Sequence, residues 1–350
     1  MTNLIEQFKV AKQNPSALDE IKPVFRYAKI KPTNNCNSKC ITCSYWEETH
    51  KGELSTNEVI SALKELRTLG VEEIMFTGGE PTIVKDLPLM VSEAKRFGFP
   101  IIGMTTNSLS IHSNKIDQLI DAGLNEIILS FEGSDLHDEI RGVEGNTKKI
   151  LTNLTYFSQL RAAGTKIDVK LATTLMNRTI SQIPGVVELA ESHGITMFLN
   201  LIDQGTYFFE GTDASLFEIE DWSALDHLID WLIEVKADRP NVVGNSLFSL
   251  EYARRYFKEP KQEDIPCYLG YLGVEIDANG DVFSNCWGLP PVGNLRQSSL
   301  SKIVNSKQYD DRCTAMYHKM CKGCSCGYIL NASYHPDAAA DGIGYAGEHN

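Results

Sequence analysis

Tyr27-Ala-Lys-Ile-Lys31-Pro-Thr-Asn-Asn-Cys36-Asn-Ser-Lys-Cys40-Ile-Thr-Cys43 runs from a short strand pattern straight into a loop carrying three thiols. Outward from it the chain alternates strand and helix. Strands are expected at Tyr27–Lys31, Glu73–Phe76, Ile101–Thr105, Glu126–Phe131, Lys166–Ala172 and Thr196–Leu201, with helices at Ser55–Leu69, Leu87–Phe97, Lys115–Ala122, Thr147–Ala163 and Ile180–His193 between them. The first helix shows the local logic. Ser55 precedes Glu58 by three residues as in a capping box, and Val59, Leu63, Leu66 and Leu69 fall on one face. Strands separated by helices of this length need right-handed crossovers and therefore lie parallel. Six such units predict an α/β chain with an open, partial (β/α)6 barrel, two units short of a closed one.

In a parallel barrel, chemistry gathers at the carboxyl ends of the strands. The unusual residues fall there: Cys36 after the first strand, Thr77-Gly78-Gly79-Glu80-Pro81 after the second, Thr106-Asn107 after the third, Ser130 and Glu132 at the fourth. One shared site is expected.

The 350 residues suffice for one large domain and a smaller appendage. The net charge of −13 repels nucleic-acid backbones and anionic membranes, so neither is expected as a partner. Met1–Lys22 lacks the apolar core of a signal peptide and no run of eighteen apolar residues occurs, which points to the cytoplasm. Nine cysteines in such a chain read as metal ligands or catalytic groups rather than disulfides. They form two sets, Cys36, Cys40 and Cys43, then Cys267, Cys286, Cys313, Cys321, Cys324 and Cys326, and so imply two sites.

Beyond Leu201 the periodicity changes. Asp203–Phe217 reads as a loop and Trp222–Val235 as an amphipathic helix with Leu225, Leu228, Ile229 and Leu232 on one stripe. Val274–Ile276 and Val282–Ser284 flank Asn279-Gly280, a β-hairpin signal that would draw Cys267 and Cys286 together.

A cubane iron–sulfur cluster ordinarily takes four thiolates, so a compact trio leaves one iron without a protein ligand. Cys36-x3-Cys40-x2-Cys43 after a strand resembles the defining motif of the radical S-adenosylmethionine (radical SAM) superfamily. That resemblance spans about residues 25–200. It implies a [4Fe–4S] cluster with an open iron on which S-adenosylmethionine chelates, to be cleaved by one electron to a 5′-deoxyadenosyl radical. It further implies cosubstrate contacts from Gly78, Gly79, Glu80 and Pro81, from Thr106 and Asn107, from Ser130, and from Arg141 as an alternative to a plain salt bridge. The position before the third cysteine, often aromatic in the family, is Thr42 here, so the resemblance points to Tyr45 or Trp46 as the surface beside the adenine. A zinc site, or three reduced structural cysteines, is the rival reading of the trio.

The later cysteines resemble the twitch or SPASM extensions of the same superfamily. The resemblance implies one auxiliary [4Fe–4S] cluster on Cys267, Cys286, Cys321 and Cys324, with Cys326 able to replace either of the last two and Cys313 left as a plain thiol. Four thiolates at this spacing also suit structural zinc. The domains expected are an N-terminal extension at 1–24, the barrel at 25–202, connecting loop and helices at 203–262, a small iron–sulfur domain with the hairpin at 263–336, and a flexible tail at 337–350.

Relatives with such extensions often modify ribosomally made peptides, and the acidic chain suits a cationic leader. A peptide maturase is therefore expected, with a separate leader-binding protein and an electron donor of the flavodoxin or ferredoxin type. The alternatives are radical oxidation, decarboxylation or epimerisation of a sugar, aminocyclitol or nucleoside in natural-product biosynthesis, and a non-catalytic iron–sulfur carrier or scaffold. Asp203, Tyr207 and Glu210 stand either at the substrate or in a solvated loop; His137, His193, Trp222 and Trp231 read as packed or surface residues.

Overall fold

The computed structural model describes residues 2–47, 52–202 and 218–321. Asp203, Tyr207, Glu210, Cys324 and Cys326 lie outside them. Six strands run in parallel order: β1 (Tyr27–Ile30), β2 (Glu73–Phe76), β3 (Ile101–Thr106), β4 (Glu126–Ser130), β5 (Asp168–Leu175) and β6 (Thr196–Leu201). After an N-terminal helix α1 (Thr2–Gln13), the crossovers are α2 (Thr56–Thr68), α3 (Leu87–Phe97), α4 (Ser113–Ala122), the short α5 (His137–Arg141) with α6 (Asn146–Ala162), and α7 (Ile183–Ser192). The sheet is an open, partial barrel with strand order β6-β5-β4-β3-β2-β1, as the alternation of periodicities predicts.

Local chemistry sets the helix ends. Ser55 Oγ accepts from the Glu58 backbone N–H, and the Glu58 carboxylate accepts from the Ser55 N–H at 2.7 Å, so two otherwise unpaired donors of α2 are satisfied reciprocally. Val59, Ala62, Leu63 and Leu66 then bury one face.

After α8 (Trp222–Asp238), α9 (Leu247–Tyr256) and a single turn α10 (Leu269–Leu272), the expected hairpin forms from β7 (Gly273–Ile276) and β8 (Asp281–Phe283). Asp277 Oδ1 accepts the N–H groups of Asn279 and Asp281, both at 2.9 Å, and Gly280 takes φ 85° to close the turn. The hairpin extends the barrel sheet itself: β7 pairs in parallel with β1, Tyr27 opposite Gly273. A Cβ at Gly273 would come to 2.7 Å of the Tyr27 ring, so glycine is required at that contact. β9 (Gly293–Asn294), α11 (Leu300–Val304) and α12 (Lys307–Tyr317) complete the described chain.

The N-terminal stretch is no loose extension. Leu4, Phe8 and Ala11 of α1 are buried, and the Phe8 ring sits 4.4 Å from that of Tyr268 and 5.3 Å from that of Tyr271. The chain's beginning is thus packed against the segment that follows Cys267.

Candidate functional site

The three-cysteine loop leaves the carboxyl end of β1 and is held from several sides by backbone. Gly79 N–H donates to the Thr33 carbonyl at 3.0 Å and Glu80 N–H to that of Asn35 at 2.9 Å. Lys39 and Ile41 N–H groups donate to the carbonyls of Arg141 and Ile140. Glycine is imposed at each seam. A Cβ on Gly78 would lie 2.2 Å from the Thr33 oxygen, on Gly79 2.0 Å from the Asn35 oxygen, and on Gly142 2.3 Å from the Lys39 oxygen. Glu53 fastens the loop's start, its carboxylate accepting from Asn34 N–H at 2.7 Å and Thr33 Oγ1 at 2.9 Å.

Behind the loop, Glu80 is a buried hub. Its carboxylate accepts from Thr82 Oγ1 at 2.5 Å, Thr82 N–H at 3.1 Å, Thr106 Oγ1 at 2.7 Å and Asn107 N–H at 2.7 Å, which locks the end of β2 to the end of β3. Burial pushes its carboxyl up, while these four donors pull it down. Glu80, Thr82 and Thr106 are at most 2% exposed, so the side chains of Glu80 and Thr106 meet each other rather than the opening. Asn107 reaches the loop itself: its Nδ2 donates to Asn37 Oδ1 at 2.8 Å and Ser38 Oγ at 2.9 Å, and lies 3.8 Å from Cys36 Sγ. Pro81 is buried at the start of the following turn and Ser130 is half-buried at the end of β4.

On the other flank α5 carries Arg141 to Cys40. The guanidinium pairs with the Glu132 carboxylate and lies 3.8 Å from Cys40 Sγ; Glu132 also accepts from Thr174 N–H at 2.7 Å. His137, fully buried, organises this corner. Its Nδ1 accepts from Glu132 N–H at 3.1 Å, which places the ring proton on Nε2. The Asn146 carboxamide stands 2.9 Å from Nε2 and, turned end for end, offers its otherwise unpartnered Oδ1 to that proton. Burial pushes the imidazole down to about 3.

The trio's surroundings suit thiolate ligands. Cys40 is buried and Cys36 and Cys43 half-buried, and the groups nearest the sulfurs are donors: Ser38 N–H 3.4 Å from Cys36, Asn107 Nδ2, and Arg141. Burial pushes the Cys36 thiol up to about 11 and raises that of Cys43 as well, and each lies within electrostatic reach of the other thiols of the trio. Loading a metal here therefore releases protons. Three cysteines of one loop with hydrogen-bond donors beside their sulfurs are a donor set that fits an iron–sulfur cluster.

Tyr45 lies half-buried beyond Cys43, where its hydroxyl accepts from Lys31 Nζ at 2.5 Å; the Trp46 indole donates to the Cys40 carbonyl at 3.2 Å. Of the later cysteines, Cys286 is buried in a small apolar cluster with Tyr27, Leu269 and Met316, against which Cys267 and Leu289 pack. Cys321 is half-buried. Cys313 is buried in α12, where a Cβ on Gly270 would come within 2.9 Å of its sulfur.

Glu53, Lys31 and Trp287 belong to this region and carry no motif in the sequence. Glu53 lies beyond the trio without a neighbouring signal, and Lys31 and Trp287 meet only because β7 joins β1.

Comparison with known proteins places these features in a family. The Radical SAM superfamily matches residues 30–190 and the SPASM iron-sulfur cluster-binding domain residues 267–326. The chain is 22% identical to an AdoMet-dependent heme synthase of Oleidesulfovibrio alaskensis over 91% of this chain and 88% of that protein. It is 30% identical to a PqqA peptide cyclase of Rhodopseudomonas palustris over 45% of this chain and 41% of that one. Among solved structures, Streptococcus suis SuiB bound to its precursor peptide SuiA superimposes with a TM-score of 0.66 at 17% identity, over 93% of this chain and 74% of that chain, and so shares the fold.

Proposed function

This chain belongs to the radical SAM superfamily and carries a SPASM domain, and from that premise we propose that it is a peptide maturase working through a [4Fe–4S] cluster on Cys36, Cys40 and Cys43. The family's cofactors are that cluster, S-adenosylmethionine and an auxiliary iron–sulfur cluster; when bound, they supply one-electron cleavage of the cosubstrate to a radical that abstracts hydrogen. The observation that carries the reading is the donor-lined trio, seated by Gly78, Gly79 and Gly142 at the carboxyl end of β1.

The chain's own residues have separable tasks. Gly78 and Gly79 let backbone approach backbone, which fixes the loop, and Ser130 and Tyr45 are the proposed contacts of the cosubstrate. Asn107 and Arg141 donate toward the sulfurs of Cys36 and Cys40. Glu80 and Glu132 hold those donors in place. Cys267, Cys286, Cys321 and Cys324 are the proposed ligands of the auxiliary cluster, with Cys326 the alternative to either of the last two.

The peptide substrate rests on relatives named for peptide chemistry, the PqqA peptide cyclase among them, and on the fold shared with a protein solved with its precursor peptide. Haem-forming chemistry is the second reading, favoured by the match to the heme synthase along most of both chains.

Anaerobic reconstitution with iron, sulfide, dithionite and S-adenosylmethionine is the test. Release of 5′-deoxyadenosine supports the reading; a loaded cluster that releases none leaves an iron–sulfur carrier instead. Addition of a candidate precursor peptide, or in parallel of an iron porphyrin, then assigns the substrate by which of the two changes mass.

A further inference from the structure

Lys31 occupies an unusual place for an ammonium. It is 4% exposed, and among the described residues no carboxylate oxygen lies within the 4.0 Å of an ion pair. Its Nζ lies instead 3.3 Å from the centre of the Trp287 ring and 4.4 Å from that of Tyr45, and it donates to the Tyr45 hydroxyl. Tyr45 stands two residues after Cys43, and Trp287 directly follows Cys286. The backbone on either side is fixed: Lys31 N–H donates to the Ile276 carbonyl at 2.9 Å, and the Lys31 Cβ would be 3.1 Å from a Cβ on Gly78. The charged groups facing the ammonium are Glu275, Asp277, Lys29 and the Cys43 thiol.

One cation therefore joins the loop of the first cysteine set to the loop of the second. The desolvated ammonium is held by the Trp287 ring on one side and by the Tyr45 hydroxyl on the other. It also presents positive charge toward Cys43. Reduction adds an electron to a cluster, and a fixed positive charge beside a ligand favours the reduced form.

We propose that Lys31 is a positioning residue that ties the Cys43 loop to the Cys286 loop and, as the buried cation between them, makes the cluster on the trio easier to reduce. This rests on the reading of the trio as that cluster's ligands.

The test is an anaerobic redox titration of the reconstituted full chain, followed through the EPR signal that changes when S-adenosylmethionine is added. Lys31→Met should move the midpoint to more negative potential, and Lys31→Arg, which keeps the charge and stacks on the same rings, should bring it back toward wild type. If Lys31→Met does not retain iron, Lys31→Gln carries the test, since it removes the charge and can still donate to the Tyr45 hydroxyl; it should shift the midpoint the same way. A wild-type midpoint in the variant measured, or equal shifts in Lys31→Met and Lys31→Arg, overturns the role of the charge. A wild-type chain whose trio takes up no iron would overturn the assignment of the trio itself and this inference with it, an outcome read before any variant is titrated.

Discussion

Gly79 lies so close to Asn35 that a single methyl group on its Cα would come to 2.0 Å of the Asn35 carbonyl oxygen. The end of β2 and the cysteine loop are pressed together backbone to backbone, with Gly79 N–H bonded to the carbonyl of Thr33. Neither neighbour is a flexible side-chain tip, so neither gives way cheaply. Gly79→Ala is expected to lose about 1–3 kcal/mol by overpacking. Iron bound at the trio should fall while iron bound by the later cysteines is kept, as denaturant unfolding and iron counting would show, the count made in a Cys267→Ala, Cys286→Ala background for the trio and in a Cys36→Ala, Cys40→Ala, Cys43→Ala background for the later thiols.

Glu80 acts through what it holds. Removing its carboxylate leaves the N–H groups of Thr82 and Asn107 and two hydroxyls buried without their acceptor. Glu80→Ala is expected to destabilise the fold by about 2–4 kcal/mol, because each orphaned donor costs about 1–3 kcal/mol before relaxation. Glu80→Gln keeps one acceptor oxygen and should lose less. Equal losses in urea titrations of the two variants would show that the hydrogen bonds are not what Glu80 contributes.

His137 predicts a pH dependence of stability. Its folded value, about 3, lies below the ordinary 6.5 because burial opposes the imidazolium. Below pH 6.5 the unfolded chain takes up a proton that the folded chain refuses, so this contribution is intact above 6.5 and is lost as pH falls toward 3, at up to about 1.4 kcal/mol per pH unit. His137→Gln should flatten that part of the profile. A variant whose stability between pH 6.5 and 4 parallels the wild type would remove the assignment.

The two cysteine sets predict separable metal. In a Cys36→Ala, Cys40→Ala, Cys43→Ala variant, reconstitution should leave about four irons, one cubane on the later thiols. Zinc in place of iron, by metal analysis, would replace the auxiliary cluster with a structural ion.

Much of this architecture is written locally. The capping box of Ser55 and Glu58, the alternation of strand and helix periods, and the Asn279-Gly280 turn each depend on neighbours a few residues apart, and each forms where local chemistry predicts. The trio is legible for the same reason, since its ligands share one loop. Less legible were α1, whose segment reads as polar in sequence until Phe8 meets Tyr268, and the hydrogen bonds by which Glu80 joins Thr106 and Asn107.

What the sequence alone determined, then, is the order of β/α units, the parallel sense of the sheet and the division of the thiols into two sets, because hydrophobic period, caps and cysteine spacing are short-range properties. Only the tertiary structure decided that β7 joins the free edge of β1, that Glu53 fastens the cysteine loop, and that Lys31 stands between Tyr45 and Trp287. An exposed sheet edge will accept any strand of suitable geometry, and a lysine has no preferred partner in sequence. Those pairings are fixed by which surfaces meet once the chain has closed around its core.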